Sequence, residues 1–191
     1  MKPTLPPTET LETERMTLQL VTPANYDYLF NNCSKEQIME YIGWEDEADY
    51  ETEYKKYTTG GFVTWRSSFH FFLLKDKVTG RLLGRCAYHN YMAMHKRSEI
   101  GYDIKKEKDK NKGYMKEALK AILQYGFEKM GLNRVEAFIG PNNKPSRRLV
   151  EGYGFVIEGQ LREHFCYNDV LQDSVVYSLL LPEYETVKDS W

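Results

Sequence analysis

The sequence predicts a mixed α/β (α+β) domain, with one mixed sheet carrying helices on both faces. In the centre of the chain strand patterns precede helix patterns, whereas towards both ends strand patterns meander through short turns. No Pro/Gly/Ser-rich linker divides the 191 residues, of which 41% are hydrophobic, so one sizeable core is expected. Residues 11–182 are read as a single domain, 1–10 as a flexible, polar, proline-containing arm and 183–191 as a C-terminal tail.

Taken in order, the first strand is expected near 12–21, followed by helices near 24–32 and 34–42 and a third near 47–59 that Gly60-Gly61 ends. Strands follow near 69–75, 82–91 and 98–105, with Lys77-Val78-Thr79-Gly80 as a hairpin turn between the first two. The strongest helix lies near 113–130. Met115, Ala118, Leu119, Ile122, Leu123, Phe127 and Met130 form one apolar stripe, and Lys116, Glu117, Lys120, Gln124 and Glu128 face water. A strand near 134–139, a short helix near 144–153 and two strands near 155–167 and 170–181 complete the chain, the last two joined at Asn168-Asp169.

Composition removes several classes of function. A net charge of -2 gives no general attraction to nucleic acid, so none is expected as a direct partner. Cys33, Cys86 and Cys166 are odd in number and far apart, which suits a reducing cytoplasm rather than a disulfide framework, and Cys166 reads as a buried thiol on a strand. No secretory or membrane-length apolar run is present, and no membrane partner is expected. His70, His89, His95 and His164 show no H-x-x-x-H spacing on a helix pattern, so no metal site is expected. Glu45, Asp46, Glu47, Asp49, Glu51 and Glu53 read as a solvated helix start, with attraction of a cationic ligand as the alternative. Trp44, Tyr50, Tyr54, Tyr57, Phe62 and Trp65 beside them read chiefly as packing residues.

Two segments carry more. In Asn143-Lys144-Pro145-Ser146, Asn143 is a good N-cap, Pro145 suits a first helical turn and Ser146 offers a hydroxyl near the helix start. Leu149, Val150 and Tyr153 then face a core, Gly152 or Gly154 ends the helix, and Phe155-Val156-Ile157 begins a buried strand. Taken alone, this is a short capped surface helix. Upstream, the run from Lys105 to Gly113 leads directly into the long helix. A lysine run alone is a solubilising loop, but N–H groups at a helix start form an anion site, so a phosphate ligand is expected there.

Together these segments resemble the GNAT superfamily of N-acetyltransferases, in its branch related to the ribosomal-protein N-terminal acetyltransferases of the RimJ and RimL type. Thr13 to Leu18 resembles that branch's first strand, Glu99 to Ile104 its central strand, Lys112 to Ala118 its pyrophosphate loop and helix, and Asn143 to Phe155 its N-x-x-S helix. Glu158 to Glu163 with Asp173 and Tyr177 resembles its C-terminal hairpin. The likeness covers roughly residues 11–182 and implies a strongly twisted, mostly antiparallel sheet of about seven strands. It departs from the family at three positions. Lys108 and Asn111 stand where Gln/Arg and Gly are usual, and Val150 stands where many relatives place a tyrosine that protonates the leaving thiolate. Asn best tolerates positive φ among non-glycine residues, so the turn at Asn111 is expected to persist.

The resemblance implies acetyl-CoA as cofactor, without a metal. Its pantetheine arm would lie along backbone groups of Tyr102, Asp103 and Ile104. Its pyrophosphate would sit at the run containing Lys108, Lys110, Asn111, Lys112, Gly113, Tyr114, Met115 and Lys116, where N–H groups and the helix dipole favour negative charge. Asn143 would bind the pantetheine or its amide, and Ser146 the sulfur. Glu99 is the candidate general base, its alternative being a strand-end carboxylate paired with Lys96 or Arg97. The expected activity is acetylation of a primary amine, either a protein or peptide α-amine or a small molecule, by direct attack in a ternary complex. A non-catalytic coenzyme A-binding module is the alternative, and the chain is expected to be a monomer or homodimer.

Overall fold

The computed structural model describes residues 8–60 and 68–191. Gly61, Phe62, Trp65 and residues 1–7 of the expected arm lie outside them. Eight strands form one sheet: β1 (Thr10–Glu12), β2 (Met16–Val21), β3 (Ser68–Asp76), β4 (Leu82–Met92), β5 (Arg97–Ile104), β6 (Arg134–Ile139), β7 (Val156–Tyr167) and β8 (Val170–Leu180). Their spatial order is β1-β2-β3-β4-β5-β6-β8-β7, and only the β5–β6 neighbours run parallel.

Side-chain alternation along the strands feeds two cores. Phe72, Leu74, Tyr88 and Ile100 point to one face, where α4 (Tyr114–Glu128) lays down Ala118, Leu119, Ile122 and Leu123 as the stripe predicts. α5 (Lys144–Glu151) adds Val150 to the same core. Phe69, Leu73 and Leu82 point to the other face, covered by α1 (Pro23–Asn32) and α2 (Lys35–Ile42), with Trp44 and Tyr50 packed alongside. Thr22 and Ser34 start those helices as capping boxes closed by Asn25 and Gln37. α3 (Glu47–Gly60) follows them, and its Tyr54, though 40% exposed, stacks on Tyr50 at 5.6 Å and lies 5.4 Å from the Phe30 ring.

Several expectations are corrected. The strand read as 12–21 is a tight hairpin: Thr13 bonds the Met16 carbonyl through both its N–H and its hydroxyl, reversing the chain between β1 and β2. This adds the eighth strand and draws the end of the expected arm into the sheet, where Leu20 donates to the Glu9 carbonyl. Cys166 is exposed, because β7 is the outer strand of the sheet and every residue along it is exposed.

The expected tail contains α6 (Leu181–Val187), with Pro182 in its first turn, where a missing N–H costs nothing. Tyr184 is fully buried, stacks on Phe127 at 4.4 Å and donates to Glu128 at 2.6 Å. Tyr184→Ala is therefore expected to cost about 3–5 kcal/mol, a loss on the order of 10 °C in Tm measured by thermal denaturation. An unchanged Tm would mean that α6 does not pack on α4 in solution.

Candidate active site

A wedge opens where β5 and β6 part. They pair only through Arg97–Arg134, Ser98–Val135 and Glu99–Glu136, and beyond Glu99 the two strands separate while each keeps its outer neighbour. Along β5, Tyr102 and Ile104 pack towards the core under α4 and α5, and alternation turns Glu99, Gly101 and Asp103 to the opposite face. Asp103 there accepts from Arg85 at 2.8 Å, and the His89 ring lies against Gly101.

The start of α4 forms one end of the wedge. Asn111 (φ 60°) and Gly113 (φ 80°) both adopt the left-handed conformation, as the sequence predicts for the turn, and no side chain caps the first turn of α4. Uncapped N–H groups at such a turn suit a phosphate. Two arginines that sequence reasoning missed brace the loop. Arg15 bonds Glu117 through its backbone N–H (2.7 Å) and its Nε (2.6 Å), donates to the Lys112 carbonyl at 2.9 Å and lies over the Tyr114 ring at 4.4 Å. Arg81 makes a two-pronged pair with the buried Asp109 at 2.8 and 3.1 Å, which holds that carboxyl below its usual range.

The lysine cluster divides. Lys105 pairs with Asp49 and Lys106 with Glu45, so both neutralise the acidic start of α3. Lys110 pairs with Glu107, and Lys112 reaches Asp109 at 4.0 Å. Lys108 and Lys116 are exposed and make no ion pair among the described residues. Met115 packs against the core, and the Lys116 carbonyl accepts from Tyr153, tying α4 to the end of α5.

α5 forms the facing wall. Asn143 caps it, its Oδ1 accepting from the Ser146 N–H at 3.2 Å, and Ser146 is half-buried. Tyr102 crosses from β5 to donate to the Ser146 carbonyl at 3.4 Å, and burial pushes its phenol up to about 12, so it stays protonated at neutral pH. Val150 is fully buried and faces the core. Thus the hydroxyls on this side come from Ser146 and Tyr102.

On the opposite face Glu99 lines a cleft of ≈ 460 Å³ with Phe138, Asn143, His164, Tyr167 and Ser174. It accepts from Asn90 at 3.1 Å, while Arg97 turns to Glu136 at 2.8 Å, so the expected alternative pairing with Arg97 is not formed. Burial raises the Glu99 carboxyl, the Asn90 hydrogen bond works against that, the Glu136 charge adds to it and His164 opposes it.

His164 and Ser174 were also missed, and a bulge explains why. The β7–β8 ladder breaks between Leu161 and Phe165, Glu163 takes φ 51°, and Asp173 accepts from the Glu163 N–H at 2.9 Å. His164 Nδ1 thereby lies 3.0 Å from Ser174 Oγ, and its ring is 4.9 Å from that of Phe138. Among the described residues no group of three or more His, Cys, Asp or Glu side chains could hold a metal ion, and no helix is long and apolar enough to cross a membrane.

Residues 15–156 match the acetyltransferase (GNAT) domain family. The chain is 30% identical over 172 residues to the uncharacterized N-acetyltransferase YoaA of Bacillus subtilis, covering 90% of this chain and 97% of that protein. It is 22% identical over 183 residues to the ribosomal-protein-serine acetyltransferase of Escherichia coli, covering 95% and 98% of the two chains. Among solved structures it is similar to the GNAT-family acetyltransferase from Bacillus anthracis, with a TM-score of 0.63 and 27% identity over 92% of this chain and 100% of that one.

Proposed function

The chain belongs to the GNAT acetyltransferase family and is an N-acetyltransferase, and we propose that it transfers acetyl from acetyl-CoA to a primary amine by direct attack within a ternary complex. The acceptor amine is either the α-amine of a protein or peptide or that of a small molecule. The observation that carries this reading is the wedge itself. Paired left-handed residues and uncapped N–H groups stand at one end, two hydroxyls on one wall and a half-buried carboxylate on the other face.

Acetyl-CoA supplies the activated thioester, and the residues of this chain bind, orient and move protons. N–H groups from Asn111 to Lys116 hold the pyrophosphate, Lys108 and Lys110 lie beside it, and Tyr102 to Ile104 offer the backbone freed by strand separation. Asn143 keeps its Nδ2 amide to donate to the pantetheine, since Oδ1 is used by the cap. Glu99 accepts the proton lost by the amine as its nitrogen bonds to the acetyl carbon and the carbon–sulfur bond breaks. The Ser146 hydroxyl donates towards the departing thiolate, and the Tyr102 phenol does so on leaving the Ser146 carbonyl that it bonds at 3.4 Å.

Release of free thiol from acetyl-CoA across a panel of amines tests this. Acceptor-dependent release is expected; cofactor binding without release for any amine would favour the non-catalytic module instead. Ser146→Ala and Tyr102→Phe are each expected to lower kcat about 10- to 100-fold, the worth of one hydrogen bond to a charged group. Full turnover in either variant would remove that hydroxyl from the mechanism.

A further inference from the structure

α3 is held to the sheet by charge. Among its described side chains Glu53 alone is buried, at 5% exposure, and it is a carboxylate; no apolar side chain of the helix is buried. Its aromatic contacts run to α1 instead, where Tyr50, Tyr54 and Tyr57 gather round the Phe30 ring with centroids between 4.8 and 6.0 Å away. A helix without a buried apolar stripe draws little of its docking from packing, so what ties it to the strands decides whether it stays.

Three ion pairs make that tie. Glu45, just before the helix, meets Lys106 at 2.6 Å, Asp49 meets Lys105, and Glu53 lies 3.7 Å from Arg85. Arg85 stands opposite Asp103 in the β4–β5 ladder and donates to it at 2.8 Å. Beneath α3 lies a cavity of ≈ 180 Å³ whose lining includes Glu53 and Lys56 from the helix and Arg85, Asp103 and Lys105 from the strand side. A helix standing over such a gap can leave the sheet without opening a close-packed core.

The catches for this helix sit on the strand proposed to carry the pantetheine arm. Asp103 and Lys105 flank Ile104, and Lys106 follows. Glu99, Gly101 and Asp103 share one face of β5, so α3 covers the acceptor face about 13 Å along the strand from Glu99. Whatever fixes residues 102–106 also fixes the groups that hold α3, and coupling between two such sites is reciprocal.

We propose that α3 is a charge-latched lid over the acceptor face, hinged on Phe30, and that Arg85 is the positioning residue through which bound acetyl-CoA closes it. The coupling to cofactor rests on the acetyltransferase reading above; the latch itself does not.

Amide hydrogen exchange on the purified full chain tests both parts, at about 0.05 M and about 0.5 M sodium chloride, a range over which exposed pairs are progressively screened. Three such pairs together are worth about tenfold, so α3 amides should exchange about tenfold faster at the higher salt while α4 amides stay unchanged. Glu45→Gln/Asp49→Asn should give the same acceleration at low salt. Saturating acetyl-CoA at low salt should slow α3 exchange in the wild type and in Arg85→Lys, which keeps the charge, but not in Arg85→Ala. A merely structural role for Arg85 would speed exchange in Arg85→Ala and leave the effect of acetyl-CoA in place, and that result would overturn its positioning role. Exchange of α3 as slow as that of α4, or indifferent to salt, would overturn the latch. Acetyl-CoA that protects neither α3 nor residues 111–116 would count against the cofactor reading, with the salt series still deciding the lid.

Discussion

Glu99→Gln is expected to lower kcat/KM by about 10²- to 10⁴-fold and to remove the acid limb of its pH profile. Glu99 lies where β5 leaves β6, half-buried, with its carboxyl raised above the ordinary value chiefly by burial. A base works in its ionised form, so activity should rise with pH through that raised value, and the glutamine variant should be flat there. Arg97, Arg134, Glu136, His89, His164 and Asp173 surround this position from the neighbouring strands, so the midpoint reports their summed field.

Stability should move the other way, which separates a catalytic role from a structural one. A folded-state value above the unfolded one gives stability that is present below the unfolded value and lost as pH rises through the folded value. At pH 7 the ionised Glu99 therefore costs stability, and Glu99→Gln should melt at the wild-type temperature or above. A variant with unchanged turnover and pH dependence would exclude Glu99 as the base.

Where one residue's own conformational preference decides the structure, the sequence was legible. Asn111 and Gly113 are the residue types that enter the left-handed region, and both do so. The α4 stripe was readable from its period and the start of α5 from its cap. What could not be read depends on partners far apart in sequence. Arg15 reaches Glu117 across 102 positions and Arg81 reaches Asp109 across 28, and nothing local marks either pair. His164 enters the acceptor cleft only through a bulge fixed from the neighbouring strand by Asp173. Residues 183–191 were read as a tail, yet Pro182 occupies a first helical turn, and so α6 went unseen. Val150 was legible twice over, as the place where many relatives carry a tyrosine and, from its helical spacing, as a core position, and its side chain does lie in the core.

Gly84→Ala should produce the largest structural effect. Gly84 lies opposite Ile104 in the β4–β5 ladder, and a Cβ added there would stand 2.2 Å from the Asp103 carbonyl oxygen and 3.0 Å from the Ile104 Cα. Both neighbours are backbone, so no rotamer change relieves the overlap, and β5 must shift away from β4 towards the side where it has already parted from β6. The displaced residues, Tyr102 to Ile104, are those proposed to line the pantetheine arm. The expected result is a loss of about 3 kcal/mol or more in stability. A raised KM for acetyl-CoA should accompany it, with the acid limb set by Glu99 left in place, because Glu99 sits beyond the distorted end of the strand. Thermal denaturation together with acetyl-CoA saturation curves checks both effects. If the variant keeps the wild-type Tm and KM, the close approach of β4 to Asp103 does not exist in solution, and the cofactor strand is not positioned from that side.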